Sequence, residues 1–200
     1  KRYETRDLYR KKFGISSNEV VLLFVGSGFE RKGLVPLIRA FALLKGNGYN
    51  NIKLLVVGKG NVKRYSSFAR SLDIERDVIF TGPLIDVTDI YYAGDIFVLP
   101  SIYEPFSNAC LEAMAAGLPI VTSRMNGVSE ILTDGEDGEI IENPVDYDEI
   151  AEKIKPILDA DKRKAMGIKA RMKAENHTIE RNVGEFLKLI NTDHRLETED

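Results

Sequence analysis

The sequence predicts an α/β fold: a Rossmann-like doubly wound parallel sheet of about six strands, with helices on both faces and further helices closing the C-terminus. Three observations predict it. Short apolar runs recur without polar alternation, as in strands covered on both faces. Amphipathic segments with helical spacing separate them, which implies repeated β-α units. Nearly every apolar run stops at Gly, Ser, Thr or Pro, the residues that turn a chain at a strand's carboxyl end.

Taken in order, the strands are Val20 to Val25 before Gly26, Ile52 to Val57 before Gly58, and Val78 to Phe80 before Thr81-Gly82-Pro83. Ile96 to Leu99 before Pro100-Ser101 and Pro119 to Val121 before Thr122-Ser123 follow, with a weaker sixth at Glu139 to Ile141. Leu34, Leu37, Ile38, Phe41 and Leu44 keep helical spacing, and Pro36 sits in the first turn, where proline is tolerated. Asn108 to Ala116 is rich in helix formers and stops at Gly117. Asp146 to Leu158, Lys162 to Met172 and Ile179 to Ile190 read as closing helices, the first of them kinked or ended early by Pro156. One domain is expected over 1–191, with a frayed polar tail at 192–200.

The bulk properties narrow the function. A chain of 200 residues with 44% hydrophobic and 30% charged residues can bury a real core and stay soluble. A net charge of −3 gives no electrostatic case for nucleic acid or an anionic membrane as partner. The single cysteine, Cys110, excludes an internal disulfide or a multi-cysteine metal site, and its apolar neighbours imply a buried thiol in a reducing compartment. His177 and His194 lie apart near the C-terminus and read as solvated helix residues, not a metal pair. No apolar run reaches the length of a membrane span.

In doubly wound sheets, ligands bind outside the carboxyl ends of the strands. Two loops there carry chemistry. Gly26-Ser27-Gly28-Phe29-Glu30-Arg31-Lys32-Gly33 leaves a strand and enters a helix, whose first amides and dipole favour an anion. Arg31 and Lys32 add two cations suited to phosphate, although such a pair alone is usually just solvated. The loop is neither a dinucleotide fingerprint, since Arg31 stands at the third glycine position, nor a P-loop. In the second loop, Glu104-Pro105-Phe106-Ser107-Asn108-Ala109-Cys110-Leu111-Glu112, Ser107 or Asn108 can cap a helix. Glu112 falls about one turn in and leans back toward the helix start, where a carboxylate can take both hydroxyls of a ribose diol. Glu104 stands in the loop, free to meet sugar hydroxyls. Asp95 reads as a loop terminus, Glu130 as a local cap or salt bridge, and Tyr91 and Tyr92 as packing residues.

Glu104 to Glu112 resembles the E-x7-E motif of retaining GT-B glycosyltransferases of the large family 4 group. The likeness runs on through Glu112-Ala113-Met114-Ala115-Ala116-Gly117-Leu118-Pro119-Ile120-Val121-Thr122-Ser123, Asn126-Gly127, Glu130-Ile131-Leu132, Asp134-Gly135 and Gly138. It also takes in Phe80-Thr81-Gly82 and Asp95 to Ser101, so it covers nearly the whole chain. The Gly-Ser-x-Phe-x-Arg-Lys-Gly form of the first loop is similar to lipopolysaccharide-core glucosyltransferases, with Ser27 where many members carry arginine.

The resemblance implies the C-terminal, donor-binding half of a GT-B fold. It implies a nucleotide-diphosphate sugar as substrate, a UDP-sugar by preference, and retaining hexosyl transfer to an acceptor hydroxyl with neither metal nor cofactor. Gly26, Ser27, Arg31 and Lys32 would meet the diphosphate, Glu104 the sugar and Glu112 the ribose. Phe106, Ser107, Asn108 and Ala109 would offer backbone amides, and Pro83 and Leu84 would frame the base. Glu104, Arg31 and Lys32 are the expected catalytic groups. The acceptor, a glycan or glycolipid, would be held by an N-terminal domain outside this chain, leaving the chain alone inactive. The expected location is the cytoplasm, extending to the inner membrane face where an envelope acceptor would be met. An epimerase-like GT-B protein and a noncatalytic nucleotide-binding module are the competing readings, and the failed glycine fingerprint argues against a Rossmann oxidoreductase.

Overall fold

A computed structural model of the chain describes residues 2–177, together with 181, 183, 184 and 187. Its helices are α1 (Arg2–Lys12), α2 (Leu34–Gly46), α3 (Val62–Ser71), α4 (Asn108–Ala115), α5 (Tyr147–Ile154) and α6 (Ala160–Ala174). The strands are β1 (Val20–Val25), β2 (Ile52–Val57), β3 (Val78–Gly82), β4 (Ile96–Leu99), β5 (Ile120–Ser123) and β6 (Gly138–Ile141). They form one six-stranded sheet in the order β3-β2-β1-β4-β5-β6. Every pairing is parallel. The expected closing helix from Ile179 to Ile190, the tail 192–200 and His194 fall outside the continuously described residues.

The strands are apolar throughout because they are covered throughout. Val21, Leu22, Leu23 and Phe24 of β1 and all four residues of β4 have no exposed surface. Each such side chain contributes roughly 1.5–3 kcal/mol relative to leaving it in water. Helix α2 packs against α5, and α4 against α6. Pro156 ends α5 at Ile154 and starts a 3-10 turn over Lys155–Leu158, so the expected long helix is two pieces.

Two helices escape a reading of apolar periodicity. Helix α1 is held by a buried cation. Arg10, only 3% exposed, donates to the carbonyls of Ala93, Ser16, Ser17 and Glu19 and to Asp95 Oδ2 at 2.6 Å. Burial weakens the charged form of Arg10, and Asp95 opposes that loss. Asp95 also accepts from Arg6 at 2.7 Å and from the Val21 amide at 2.8 Å, so it fastens α1 to the base of the sheet. Helix α3 buries only Tyr65 and Ala69, and Asn61 caps it by accepting from the Arg64 amide.

The strand order reverses at the boundary between β1 and β4, which pair through Leu22↔Ile96 and Leu23↔Phe97. The loops that leave these two strands therefore lie side by side at their carboxyl ends, the place where doubly wound sheets bind ligands.

Candidate functional site

Both sequence-predicted loops meet at these strand ends. The loop after β1 leads into α2, whose N-cap, Gly33, offers no side-chain cap. Gly26 makes room for Lys32: a Cβ there would lie 2.5 Å from Lys32 Cδ. The loop after β4 is tied to the first by the Ile102 amide, which donates to the Arg31 carbonyl at 2.8 Å.

The charged groups of the two loops converge on one oxygen. Lys32 Nζ donates to Glu104 Oε2 at 2.7 Å, and Arg31 Nη1 to the same oxygen at 3.0 Å and to the Tyr103 carbonyl at 2.7 Å. Burial works against the Glu104 carboxylate, but Lys32 and Arg31 outweigh it and hold the group below the usual glutamate range. Glu104 is therefore not the free loop carboxylate expected from sequence. It is the counter-ion of Arg31 and Lys32, the two cations expected from sequence to meet the diphosphate, while its Oε1 takes no hydrogen bond among the described residues.

Glu104 is fixed from the other side by the turn after β5. Its amide donates to the Met125 carbonyl at 3.0 Å, and the Gly127 amide returns a bond to the Glu104 carbonyl at 2.9 Å. Asn126, fully buried, steadies that turn by donating to Thr122 Oγ1 at 2.9 Å and accepting from the Val128 amide. This clamp was invisible to spacing arguments, because its members lie about twenty residues beyond Glu104.

Helix α4 starts immediately after. Ser107 occupies the N-cap, as expected, but makes no side-chain cap bond. Its hydroxyl instead meets the Cys110 thiol, which burial pushes up to about 11. The amides of Asn108 and Ala109 accordingly meet no acceptor among the described residues. Open amides at a helix start, beside two cations, form an anion-binding arrangement. Phe106, two residues before α4, is exposed. Glu112, one turn further in, accepts from the Tyr91 hydroxyl at 2.6 Å. The Ser101 hydroxyl, just after β4, is buried and has no hydrogen-bond partner among the described residues.

Other expected residues stand apart. Ser27 is exposed and accepts from the Lys59 amide at 3.2 Å, joining the loops after β1 and β2. Pro83 and Leu84 follow β3, at the sheet edge two strands from β1, and no polar bond links them to the charged cluster. Among the described residues no three His, Cys, Asp or Glu side chains gather as metal ligands, and no helix is long and apolar enough to cross a membrane. A groove of about 510 Å³ lies elsewhere, lined by Gly94 and Pro119 among others. Those residues precede β4 and β5, so it belongs to the opposite end of the sheet from the carboxylates and cations just described.

Comparison with known proteins bears on the family and the fold. A sequence profile of the family described as "Glycosyl transferases group 1" matches residues 5–173. The lipopolysaccharide glucosyltransferase WaaG of Escherichia coli (strain K12) is 32% identical over 154 residues, covering 77% of this chain and 41% of that protein. A crystal structure of WaaG superposes with a TM-score of 0.78 at 31% identity, over 86% of this chain and 46% of that one. Anabaena HepE, solved in complex with UDP-glucose, superposes with a TM-score of 0.80 at 25% identity, over 92% of this chain and 52% of that one. The chain spans less than half the length of the curated relatives it matches. Its fold is that of the C-terminal half of GT-B structures, and the profile match runs through most of its length. The chain belongs to the group 1 glycosyltransferases.

Proposed function

We propose that this domain binds a nucleotide-diphosphate sugar, a UDP-sugar by preference, for retaining transfer of a hexosyl group to an acceptor hydroxyl. The observation that carries the reading is the convergence of Arg31 and Lys32 on Glu104 beside the open start of α4. HepE, whose solved complex holds UDP-glucose, lends support to the choice of donor. In transfer, the bond between the anomeric carbon and the diphosphate oxygen breaks, and its electron pair stays on that oxygen. The acceptor oxygen bonds the same carbon on the same face, and its proton passes to the departing phosphate oxygen. Negative charge therefore grows on the phosphate as the bond breaks, and Lys32, Arg31 and the α4 amides stabilise it. Removing one such preorganised donor typically costs about 2.7–4 kcal/mol of transition-state stabilisation.

When the diphosphate takes the two cations, Glu104 is released toward the sugar hydroxyls. Glu112 receives the ribose, and Pro83 and Leu84 edge the base. The acceptor, a glycan or glycolipid of the cell envelope, comes from the other half of the fold, so this domain alone binds donor without transferring sugar.

A thermal-shift panel of UDP, GDP, ADP, UDP-glucose and NAD tests the reading, with Glu112→Ala as control. A ligand at a hundredfold its Kd stabilises by about 2.7 kcal/mol, or roughly 5–10 °C for a domain of this size. Such a shift with UDP and UDP-glucose, lost in the variant, is the expected result. A shift with NAD alone would sink it.

A further inference from the structure

We infer that Tyr91 is a positioning residue for the donor: its phenol orients the Glu112 carboxylate toward the ribose. The inference rests on the donor-binding reading above and extends it to a residue whose apolar neighbours mark it as simple packing. Tyr91 lies on the 3-10 turn Ile90–Ala93, is 2% exposed, and has the Phe97 ring at 6.0 Å. Its hydroxyl donates to Glu112 Oε2 at 2.6 Å, a short charge-assisted bond. Burial first, and the adjacent carboxylate second, hold the phenol far above its ordinary value of 10.0, so it stays a donor at any working pH.

A glutamate near a helix start has three side-chain torsions to fix before it can meet a diol. With Oε2 pinned by a side chain that packing holds in place, rotation of the carboxylate is restricted. Oε1, which takes no hydrogen bond among the described residues, is left as the acceptor. Removing the phenol would make the carboxylate a slightly stronger acceptor but release its torsions, and long acidic side chains have much rotamer freedom to lose on ordering. Net loss of ribose recognition follows.

The test separates this role from packing. Tyr91→Phe keeps the ring and removes only the hydroxyl. Affinities of the wild type, Tyr91→Phe and Glu112→Gln are measured for UDP, ADP and GDP, each paired with its 2′-deoxy counterpart. A hydrogen bond to a carboxylate is worth enough to give the wild type a preference of roughly tenfold or more for the ribonucleotide. In both variants that preference should fall to about threefold or less, while Tyr91→Phe still melts cooperatively. If the wild type shows no preference, or binds none of the six, the donor reading fails first. If Glu112→Gln loses the preference and Tyr91→Phe keeps the wild-type ratio, the donor reading stands and the role given to Tyr91 is wrong.

Discussion

Gly127→Ala should weaken donor binding although Gly127 is not itself among the residues expected to meet the donor. Gly127 opens the 3-10 turn Gly127–Glu130, and its backbone is not in the left-handed region, so strain is not the issue. A Cβ at this position would lie 1.9 Å from the Pro105 carbonyl oxygen, where real Cβ contacts essentially never fall below 3.0 Å. The obstacle is backbone and cannot rotate aside, so the two segments must part by about 1 Å. That separation strains the bond from the Gly127 amide to the Glu104 carbonyl and carries Glu104 away from Lys32 and Arg31. It also tilts Phe106 and Ser107, which lead into α4. Overpacking of this kind costs about 1–3 kcal/mol of stability. A misplacement of about 1 Å can cost on the order of a hundredfold in function, so UDP affinity should fall between tenfold and a hundredfold. Isothermal titration with UDP measures the affinity, and urea denaturation the stability. Gly46→Ala is the control: a Cβ at this helix position meets nothing within 4 Å, so it should stabilise by about 0.4–1 kcal/mol and leave UDP affinity unchanged. A Gly127→Ala protein that binds UDP within twofold of wild type would refute the proposed coupling between the turn and the site.

Asp95→Ala removes the acceptor shared by Arg6, Arg10 and the Val21 amide, leaving the buried Arg10 charge without its carboxylate. Urea denaturation should show a loss of about 3–5 kcal/mol, and a loss under about 1 kcal/mol would mean that α1 is held by other contacts. Cys110, fully buried with its thiol pushed up to about 11, should resist a thiol reagent at pH 8 until the protein unfolds; rapid labelling of the native state would contradict its placement. Glu104 is held below its ordinary value of 4.5 when folded, so the stability it gains from Lys32 and Arg31 is complete above 4.5 and lost as pH falls through the lower folded value. Glu104→Gln should therefore flatten the acid limb of the stability profile while leaving the slope above pH 6 unchanged, which denaturation across pH 3–7 would read.

The sheet was legible because parallel strands buried on both faces leave unbroken apolar runs, and all six candidates from Val20 onward became strands. Helix α2 was legible for the complementary reason, its apolar spacing at Leu34, Leu37, Ile38, Phe41 and Leu44 matching the buried face. Helix α1 was not, because its anchor is a guanidinium whose partners sit as far away as Asp95. At the site, the types and order of the residues pointed to the carboxyl ends of β1 and β4, but their pairing was hidden. Nothing in the spacing of Lys32 and Glu104, 72 positions apart, says that they share an ion pair. The Tyr91 and Glu112 bond is hidden in the same way, since Ile90-Tyr91-Tyr92-Ala93 reads as core and most of it is core. Ser107 shows the limit of local rules: it holds the cap position but spends its hydroxyl on Cys110.

Donor binding at the carboxyl ends of β1 and β4 is tested most directly by titrating UDP into the isotopically labelled chain and following each backbone amide by NMR. Saturable shifts should concentrate in Ser27 to Gly33 and Phe106 to Glu112, with weaker ones at Leu84. Saturable shifts confined to Tyr92, Gly94, Lys164 and Ile168, around the groove at the other end of the sheet, would place nucleotide binding elsewhere and contradict the assignment.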